Sequence, residues 1–521
     1  MSPSTWTHTA STRARQLRAM QRAGLIDLRR PDRLVHTARA MRVYGPIAGG
    51  ILTSARRTPD RIALVDGAHR ISYGDLDRRT DAIAARWHAE GVTARDTIGV
   101  LCPDGLRLVQ TMAAAAKLGA RLVLLNTGFG AAQLRDVLSR EKVAALVLDP
   151  SLAALADTLP EGVVLLDTEG PETGARAPVP AEQGGFVLLT GGTTGTPKGA
   201  PRQVESPLAG AQFVDRVPLR RGQTVLLCAP LFHGTALSQF ILSLNLGSTI
   251  VLHGKFDARR ALDQIAEHRA DMIVLVPTML RRILDLGPET LSATDTGSLR
   301  IVFTAGAALP SALGSRAIEV FGPVIYNFYG CTETGTATVA TPQDWLAAPG
   351  TVGRAPVGIT VALYDGDTRV TTPGAVGTVY VGNSIAFHGY SGGGSKQLRG
   401  GLMSTGDLGH FDTEGRLFID GRDDDMIVSG GENVFPGEIE DLLYRHPAVT
   451  EAAVIGVPDE EFGQRLAAFV VRAGELDADA VRAYVKSRLA RFKAPRDVVF
   501  VDELPRTPTG KIDRIGLAAL R

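Results

Sequence analysis

The chain has 521 residues, more than one ordinary hydrophobic core organises, which predicts two or three domains. Hydrophobic residues are 44% and charged residues 21% of the chain, a composition that excludes intrinsic disorder and indicates a soluble globular protein. Three cysteines exclude a disulfide scaffold, and no apolar run reaches the ~18 residues of a membrane span. Because the start also lacks the apolar core of a secretory signal, we expect a cytoplasmic protein.

Residues 1–50 form a basic N-terminal extension. Residues 13–42 carry nine arginines against two aspartates, in a chain whose net charge is only +1. Leu34, Ala38 and Met41 recur at helical spacing and predict an amphipathic helix. Two interpretations stay open: a helix folded back on its own domain, which is favoured, and peripheral contact with an anionic membrane surface. No aromatic residue interrupts the arginines, so no nucleic-acid partner is expected.

Between residue 60 and about residue 340, buried apolar runs alternate with amphipathic stretches. The segment "ISYGDLDRRTDAIAARWHAEGV" predicts a strand and a helix that ends at Gly91, and "DTIGVLC", "GLRLVQTMAAAAKLG" and "ARLVLLN" predict a strand, a helix and a strand. Further strands are predicted at "FVLLT", "QTVLLCAP", "STIVLHG", "DMIVLVP" and "RIVFTAG". This alternation is typical of layered α/β subdomains with parallel sheets.

After residue 350 the pattern changes to short strands separated by turns, in "VGITVALYDGD", "GAVGTVYVGN" and "GRLFIDGR". These strands predict a β-rich section at the end of the large domain. A charged turn, "GRDDD", then precedes a separate pattern of strands and helices. We therefore predict a large α/β domain over residues 51–421, a hinge over 422–425 and a small, mobile α+β domain over 426–521.

The stretch "LLTGGTTGTPKGAPR", residues 188–202, is too rich in glycine and proline to lie inside a helix or strand. It follows a predicted strand, at the edge where α/β sheets place ligands. Small residues let backbone N–H groups approach a phosphate, threonine hydroxyls add donors, and Lys198 adds a positive charge. Thr196 and Pro197 stand where a P-loop requires its second glycine, so we predict a phosphate-binding loop of another type.

Six more motifs follow this loop along the chain: "PLFHG" (230–234), "TAGAALP" (304–310), "NFYGCTETG" (327–335), "STGDLG" (404–409), "GRDDDMIVSGGENVFPGEIE" (421–440) and "LPRTPTGKI" (504–512). In this order the seven motifs resemble those of the adenylate-forming superfamily, which contains acyl-CoA synthetases, luciferases and peptide-synthetase adenylation domains. The resemblance covers roughly residues 50 to 515 and is strongest to actinobacterial fatty-acyl-CoA ligases.

The resemblance implies an ATP-dependent acyl-CoA ligase that acts in two steps. A carboxylate attacks the α-phosphate of ATP, pyrophosphate leaves, and the thiol of CoA then attacks the acyl adenylate. Such a site needs positive charge and hydrogen-bond donors where negative charge accumulates. Glu333 is expected to bind Mg²⁺, which prefers carboxylate and phosphate oxygens, and Thr332 to contact the α-phosphate. The phosphate loop supplies Thr190, Gly191, Gly192, Thr193, Thr194, Gly195 and Lys198.

The remaining nucleotide contacts implied by the resemblance lie in three motifs. Tyr329 offers a flat face to adenine, and Asp407 can accept hydrogen bonds from both ribose hydroxyls. Arg422 assists from the hinge. The other residues expected around the nucleotide are Gly306, Ala307, Ala308, Asn327 and Gly330.

Lys511 is the residue expected to carry catalysis, from a loop far in sequence from the nucleotide motifs. A lysine in that position can bind the bridging oxygen of the nucleotide and the substrate carboxylate. Because it must leave before a bulky thiol enters, the resemblance implies a rotation of the small domain about Asp424. The rotation brings Gly430 and Gly431 to the site, where glycines let a pantetheine arm pass close to the backbone.

The acyl substrate stays open at this point. His233, Gly234 and Thr334, with the helix "TALSQFILSLNL", are expected to line the acyl pocket, which suits either a fatty or an aromatic acid. CoA is the favoured acceptor, but a carrier protein, an amine or an anion such as nitrite is an alternative. A non-catalytic nucleotide-binding homologue and a homodimer are also left open. The G-x-S-x-G match at 389–393 lacks a following helix pattern and does not indicate a hydrolase.

Overall fold

The computed structural model describes residues 3–190, 198–202, 208–383, 387, 389–391, 393–422, 427–429, 432–459, 463–489, 491–507 and 511–520. It confirms the predicted fold class, a large domain of α/β layers with a β-rich section followed by a small α+β domain. The predicted lysine loop, hinge and phosphate loop each extend in part outside the described residues.

Two helices open the chain, α1 (Pro3–Ala23) and α2 (Pro31–Arg57). Helix α2 is kinked at Gly45, which has φ 69° and precedes Pro46; a residue before proline avoids helical geometry, and glycine adopts positive φ without strain. Ala19 and Ala23 of α1 are at most 1% exposed and belong to the core of the large domain. Both helices therefore pack against the large domain, as the folded-back interpretation expects, and α2 continues past residue 50.

The first α/β layer is a six-stranded sheet in the order β6-β5-β3-β4-β7-β8, parallel except for the β7–β8 hairpin. Two strands that belong to the edge of the next sheet come first in the chain, β1 (Ile62–Asp66) and β2 (His69–Ser72). The elements that follow are α3 (Tyr73–Ala89), β3 (Thr97–Leu101), α4 (Leu106–Leu118), β4 (Arg121–Leu124), α5 (Ala131–Arg140), β5 (Ala145–Leu148), a 3₁₀ helix (Pro150–Thr158), β6 (Val164–Leu166), β7 (Phe186–Thr190) and β8 (Lys198–Arg202).

The second layer is an eight-stranded sheet in the order β14-β13-β12-β11-β9-β10-β1-β2, parallel in its centre and antiparallel at both edges. It adds α6 (Ala211–Val214), β9 (Thr224–Leu227), α7 (Gly234–Asn245), β10 (Thr249–Leu252), α8 (Ala258–Glu267), β11 (Met272–Leu275), α9 (Pro277–Leu284), α10 (Pro288–Ala293), β12 (Ile301–Thr304), α11 (Ser311–Phe321), β13 (Ile325–Cys331), β14 (Gly335–Ala340) and α12 (Pro342–Ala347). Its central strands are buried apolar runs, which is why they read as continuous hydrophobic segments.

The β-rich section is an antiparallel sheet in the order β16-β15-β17-β19-β18, with β20 paired to β19. Its strands are β15 (Thr360–Asp365), β16 (Thr368–Val370), β17 (Gly377–Gly382), β18 (Leu398–Arg399), β19 (Leu402–Phe411) and β20 (Leu417–Arg422). In this register Asp407 lies opposite Arg422, so two predicted motifs meet as partners on neighbouring strands.

The small domain has its own sheet, in the order β22-β21-β24-β23 with β25 beside β24, and its own apolar core. It comprises β21 (Ile427–Ser429), β22 (Glu432–Val434), α13 (Pro436–Tyr444), β23 (Val449–Asp459), β24 (Gly463–Arg472), α14 (Ala478–Lys486), a 3₁₀ turn (Arg491–Lys493), β25 (Asp497–Phe500) and α15 (Arg514–Ala519). Across the part of the chain that the structure describes, none of the helices combines the length and the apolar character that a membrane crossing requires.

Candidate active site

A cleft of about 2570 Å³ lies between the large and small domains and continues along the large domain towards α1 and α2. It is larger than the few hundred to a thousand Å³ of a typical single-ligand pocket, so it has room for more than one substrate. The cleft brings together predicted residues from all seven motifs: Lys198, His233, Gly234, Gly306, Ala307, Ala308, Asn327, Tyr329, Gly330, Thr332, Glu333, Asp407, Arg422 and Lys511.

Other predicted site residues either do not line the cleft or lie outside the described residues. Thr334 is buried beneath the turn, with 3% of its surface exposed and its hydroxyl 3.2 Å from Cys331 Sγ. The predicted residues Gly191, Gly192, Thr193, Thr194, Gly195, Asp424, Gly430 and Gly431 lie outside the described residues, as does the side chain of Thr190.

The β13–β14 hairpin carries the central residues of the cleft. A Cβ on Gly330 would stand 2.0 Å from the carbonyl oxygen of Gly335 in the facing strand. Only glycine fits that spacing, and the register shifts at this point of the hairpin. The resulting tight turn carries Thr332 and Glu333 into the cleft.

Glu333 is buried, with 9% of its surface exposed, and accepts a hydrogen bond from the hydroxyl of Tyr390 at 2.6 Å. Burial, and then the neighbouring carboxylate, raise the pKa of Tyr390, so the phenol stays protonated and donates. The Lys198 ammonium lies over the same ring, 5.3 Å from its centre. Tyr390 is thus a site residue that the sequence reasoning missed, although it stands in the segment considered only as a hydrolase match.

The residues present suit a magnesium ion. Mg²⁺ in nucleotide sites is held by one or two carboxylates together with substrate phosphates and water, rather than by a full protein cage. Glu333 supplies one buried carboxylate on the cleft, and the described residues contain no cluster of three or more metal-ligating side chains. Glu333 would hold the ion, which would supply positive charge beside the phosphates.

Two neighbouring side chains contact the carboxylate of Asp407. The Tyr329 hydroxyl donates to Asp407 Oδ2 at 2.5 Å, and Arg422 Nη1 lies 3.6 Å from Oδ1. Burial raises the pKa of Asp407, while the Tyr329 bond and the Arg422 charge oppose that rise. The carboxylate is therefore fixed in orientation by groups that the sequence reasoning assigned to adenine and to the hinge.

Lys511 lines the cleft from the small domain. Its loop is closed by a hydrogen bond from the Thr507 N–H to the Lys511 carbonyl at 2.8 Å, and Arg506 pairs with both carboxylate oxygens of Glu451 at 2.8 and 2.9 Å. The positive charge of Lys511 acts on both His233 and Asp407. Lys511 therefore lies on the cleft side of the small domain, where its side chain is also exposed to solvent.

Two sets of contacts hold the small domain in this orientation. The carboxylate of Asp441 accepts hydrogen bonds from the Ser311 N–H at 3.0 Å and from its hydroxyl at 3.1 Å. Arg281 of the large domain lies over the Tyr444 ring, 4.6 Å from its centre, and donates to the Thr450 carbonyl. These contacts, among the described residues, are mainly polar, which suits an interface that can be broken and re-formed.

His233 stands at the N-terminus of α7, where the polar part of the cleft meets an apolar part. Burial, and then the charge of Lys511, lower the pKa of His233 to about 4. The imidazole is therefore neutral at pH 7 and presents no charge to the apolar part of the cleft.

The loop before His233 is held by Asp104, a residue that the sequence reasoning did not single out. Both carboxylate oxygens of Asp104 accept the backbone N–H of Leu231, at 3.1 and 3.2 Å. Burial raises the pKa of Asp104 to about 7, although the Leu231 bond opposes that rise. The carboxyl thus anchors the start of the loop that ends at His233.

Asp104→Asn is expected to remove a pH-dependent part of the stability of the large domain. The raised pKa means that the folded state keeps a proton which the unfolded chain releases near pH 4, so this group makes the domain less stable as pH rises from about 4 to about 7. The contribution is ~2–4 kcal/mol. Urea unfolding at pH 5 and pH 8 measures the free energy of unfolding of both proteins. We expect the variant to be more stable than the wild type mainly at pH 8. If the free energy of unfolding depends on pH equally in the two proteins, the assignment to Asp104 is wrong.

Comparison with known proteins agrees with this geometry. Residues 51–391, more than half of the chain, match the AMP-binding enzyme family, and residues 438–511 match the AMP-binding enzyme C-terminal domain. The chain belongs to the AMP-binding enzymes. The resemblance seen in its motifs, to adenylate-forming acyl-CoA synthetases, is thereby confirmed.

Curated AMP-binding relatives include ligases for both classes of acid. The chain is 33% identical over 488 residues to the indoleacetate–CoA ligase of Aromatoleum aromaticum, covering 87% of this chain and 94% of that protein. It is 33% identical over 469 residues to the long-chain-fatty-acid–CoA ligase FadD13 of Mycobacterium tuberculosis, covering 85% and 92%.

Among solved structures, the chain is similar to the o-succinylbenzoate–CoA synthetase of Bacillus subtilis in complex with its acyl-adenylate intermediate. The TM-score is 0.81 at 27% identity, covering 90% of this chain and 97% of that one. The same enzyme in complex with ATP and magnesium ion gives a TM-score of 0.80 at 27% identity, covering 90% and 99%.

Proposed function

We propose that the protein is an ATP-dependent, AMP-forming acid–thiol ligase that converts a carboxylic acid to its CoA thioester. The observation that carries this proposal is the convergence, in one cleft, of the carboxylate of Glu333, the carboxylate of Asp407 and the ammonium of Lys511. These groups come from three distant parts of the chain, and they meet beside a neutral histidine at the start of an apolar channel. ATP, Mg²⁺, CoA and a small carboxylic acid are the substrates and cofactors.

In this proposal the polar and charged groups of the cleft neutralise or position the charged groups of the substrates. Lys511 neutralises the substrate carboxylate, one oxygen of which bonds to the α-phosphate as pyrophosphate leaves, and it binds the bridging oxygen of the nucleotide. Thr332 donates to the α-phosphate, and Lys198 with the phosphate loop balances the β- and γ-phosphates. Asp407 fixes the ribose, so that the reacting phosphate is held in line with the acid.

The second step needs a different arrangement of the small domain. We propose that it turns about Asp424, which withdraws Lys511 and brings Gly430 and Gly431 to the cleft for the pantetheine arm. The limited set of polar contacts at Ser311 and Arg281 supports such a movement. A cytoplasmic location, a homodimer and a membrane contact through the basic extension remain predictions.

The decisive experiment is acid-dependent exchange of pyrophosphate into ATP with a panel of fatty and aromatic acids, repeated with CoA to detect thioester and AMP. We expect exchange with at least one class of acid, and thioester product only when CoA is present. Exchange without thioester formation, restored by an amine or a carrier protein, indicates the alternative acceptor. ATP binding without exchange for any acid contradicts the proposal and favours a non-catalytic homologue.

A further inference from the structure

The N-terminal extension supplies one wall of the cleft. Apolar side chains of its two helices and their connection line the cleft, namely Met20, Leu25, Ile26, Leu34, Ala38 and Met41. Family membership does not account for them, because the match to the AMP-binding enzymes begins at residue 51. Met20 is 6% exposed and packs in the core of the large domain, so this wall is a built part of the fold.

Helix α7 forms the opposite wall. Leu237, Ile241 and Leu242 line the same cleft from this helix. The Asn245 amide joins the two walls, donating to the Pro46 carbonyl at 3.0 Å and to the Ile241 carbonyl at 2.7 Å.

A glycine permits the close packing of α2 against α7. A Cβ on Gly50 would stand 2.8 Å from Asn245 Nδ2, which explains the glycine where α2 crosses α7. The segment around Gly210 lies next to the extension, since a Cβ on Gly210 would make ordinary contact with a methyl carbon of Leu25, at 3.4 Å. The extension, α7 and this segment all line the cleft.

The chemistry of this channel is that of a hydrocarbon site. Two polar side chains of α7 that line the channel are bonded within the protein: the Ser238 hydroxyl donates to the Thr235 carbonyl at 2.8 Å, and the Asn245 amide makes the two bonds described above. At the inner end stands His233, uncharged at neutral pH. Among the described residues of the extension, Arg42 is the charged side chain in the lining, and it is exposed to solvent.

The lining runs along the whole of α7, from Gly234 to Asn245, and this extent separates the two substrate classes. From Gly234 to Asn245, α7 rises about 16 Å, at 1.5 Å per residue. An aromatic ring at His233 occupies only the start of such a channel, so it does not cover the apolar side chains that the extension contributes to the lining. A long alkyl chain covers the apolar surface of both walls.

We propose that the extension and α7 form the binding site for the alkyl chain of a long-chain aliphatic carboxylic acid. This inference rests on the proposed function, since the carboxylate end of the chain lies beyond His233 at the adenylating groups. The arginine-rich extension is then a specificity element, which extends the acyl site past the region shared with the AMP-binding family.

The first test is the dependence of acid-driven pyrophosphate exchange on chain length. Hexanoic, decanoic and tetradecanoic acids are compared with phenylacetic acid. Each buried methylene is expected to raise kcat/KM about fourfold until the channel is filled. Equal use of hexanoic and tetradecanoic acid overturns the inference.

The second test fills the channel. Ala38→Trp places an indole in the lining and is expected to lower kcat/KM for tetradecanoic acid by about tenfold or more, as expected if two or more methylenes are displaced. The KM for ATP, and kcat/KM for hexanoic acid, are expected to stay within about twofold. Val35→Trp is the matched control, because Val35 belongs to the same helix but does not line the cleft and has 68% of its surface exposed, so the substitution is expected to leave every substrate unaffected.

Binding of dansylaminoundecanoic acid, followed by fluorescence, provides a readout independent of catalysis. Ala38→Trp is expected to weaken this binding about tenfold at an unchanged thermal midpoint. Equal losses for hexanoic and tetradecanoic acids, or a change confined to the KM for CoA, overturn the inference. Exchange with aromatic acids alone also refutes the alkyl site while the proposed function stands, whereas no exchange with any acid refutes the proposed function itself.

Discussion

Lys511→Ala is expected to lower the rate of adenylation by about a hundredfold or more while sparing the second half-reaction. An exposed lysine normally contributes ~1 kcal/mol or less through surface pairs. Lys511 lines the cleft, and its charge acts on His233 and Asp407. With the nucleotide and acid bound there, a preorganised cation facing developing negative charge is worth about 3–4 kcal/mol. Acid-dependent pyrophosphate exchange measures the first half-reaction, and thioester formation from presynthesised acyl adenylate measures the second.

The matched control is Lys486→Ala. Lys486 lies in the last turn of α14, on the same domain, and is exposed to solvent. Its loss changes the charge of the small domain equally but is expected to alter neither half-reaction by more than about twofold. If Lys511→Ala slows both half-reactions to the same extent, the lysine supports the structure of the domain rather than the adenylation step.

The parts of the fold and site that could be predicted from the sequence are those carried by local apolar pattern or by motifs that resemble a known family. Asp407 and Arg422 were both expected at the nucleotide, and the antiparallel pairing of β19 with β20 sets them opposite each other. The alternation of buried strands and helices was similarly visible, because each parallel strand is an uninterrupted apolar run. Local pattern therefore sufficed for the elements, whereas the roles expected of the motif residues came from the family resemblance.

The parts that could not be predicted depend on contacts between distant segments. Tyr390 is 57 residues from Glu333, and nothing in the glycine-rich sequence around it indicates that its hydroxyl reaches that carboxylate. The helical spacing of Leu34, Ala38 and Met41 predicted an amphipathic helix but not the surface that it covers. Its place on the wall of the cleft follows from its packing against α7, which periodicity does not encode.

Thr334 illustrates the same limit at the scale of one turn. It stands next to Glu333, and adjacent side chains on a tight turn point in different directions. Glu333 faces the cleft, whereas the Thr334 hydroxyl turns inward to the Cys331 sulfur. Proximity in sequence to a site residue was therefore a poor guide to membership of the acyl pocket.

Glu333→Gln is expected to lower acid-dependent pyrophosphate exchange by about a hundredfold and to raise the magnesium concentration required for half-maximal rate. Glutamine has nearly the same shape and keeps an oxygen that can accept the Tyr390 hydroxyl, so the substitution removes the negative charge without removing that bond. Carboxylate oxygen is the ligand type that Mg²⁺ prefers, and a neutral amide binds it more weakly. The measurement is exchange rate against magnesium concentration, with ATP held at saturation.

Tyr390→Phe separates the charge of Glu333 from its position. It leaves the carboxylate intact but removes the hydroxyl that orients it, and loss of such an outer contact typically costs about tenfold to a hundredfold in affinity or activity. Because the Tyr390 ring also lies under Lys198, phenylalanine keeps that contact while losing only the hydrogen bond. We expect the magnesium requirement to rise less for Tyr390→Phe than for Glu333→Gln. If Glu333→Gln leaves the magnesium dependence unchanged and only lowers the thermal midpoint, Glu333 is a structural residue of the hairpin, and the ion must be held elsewhere.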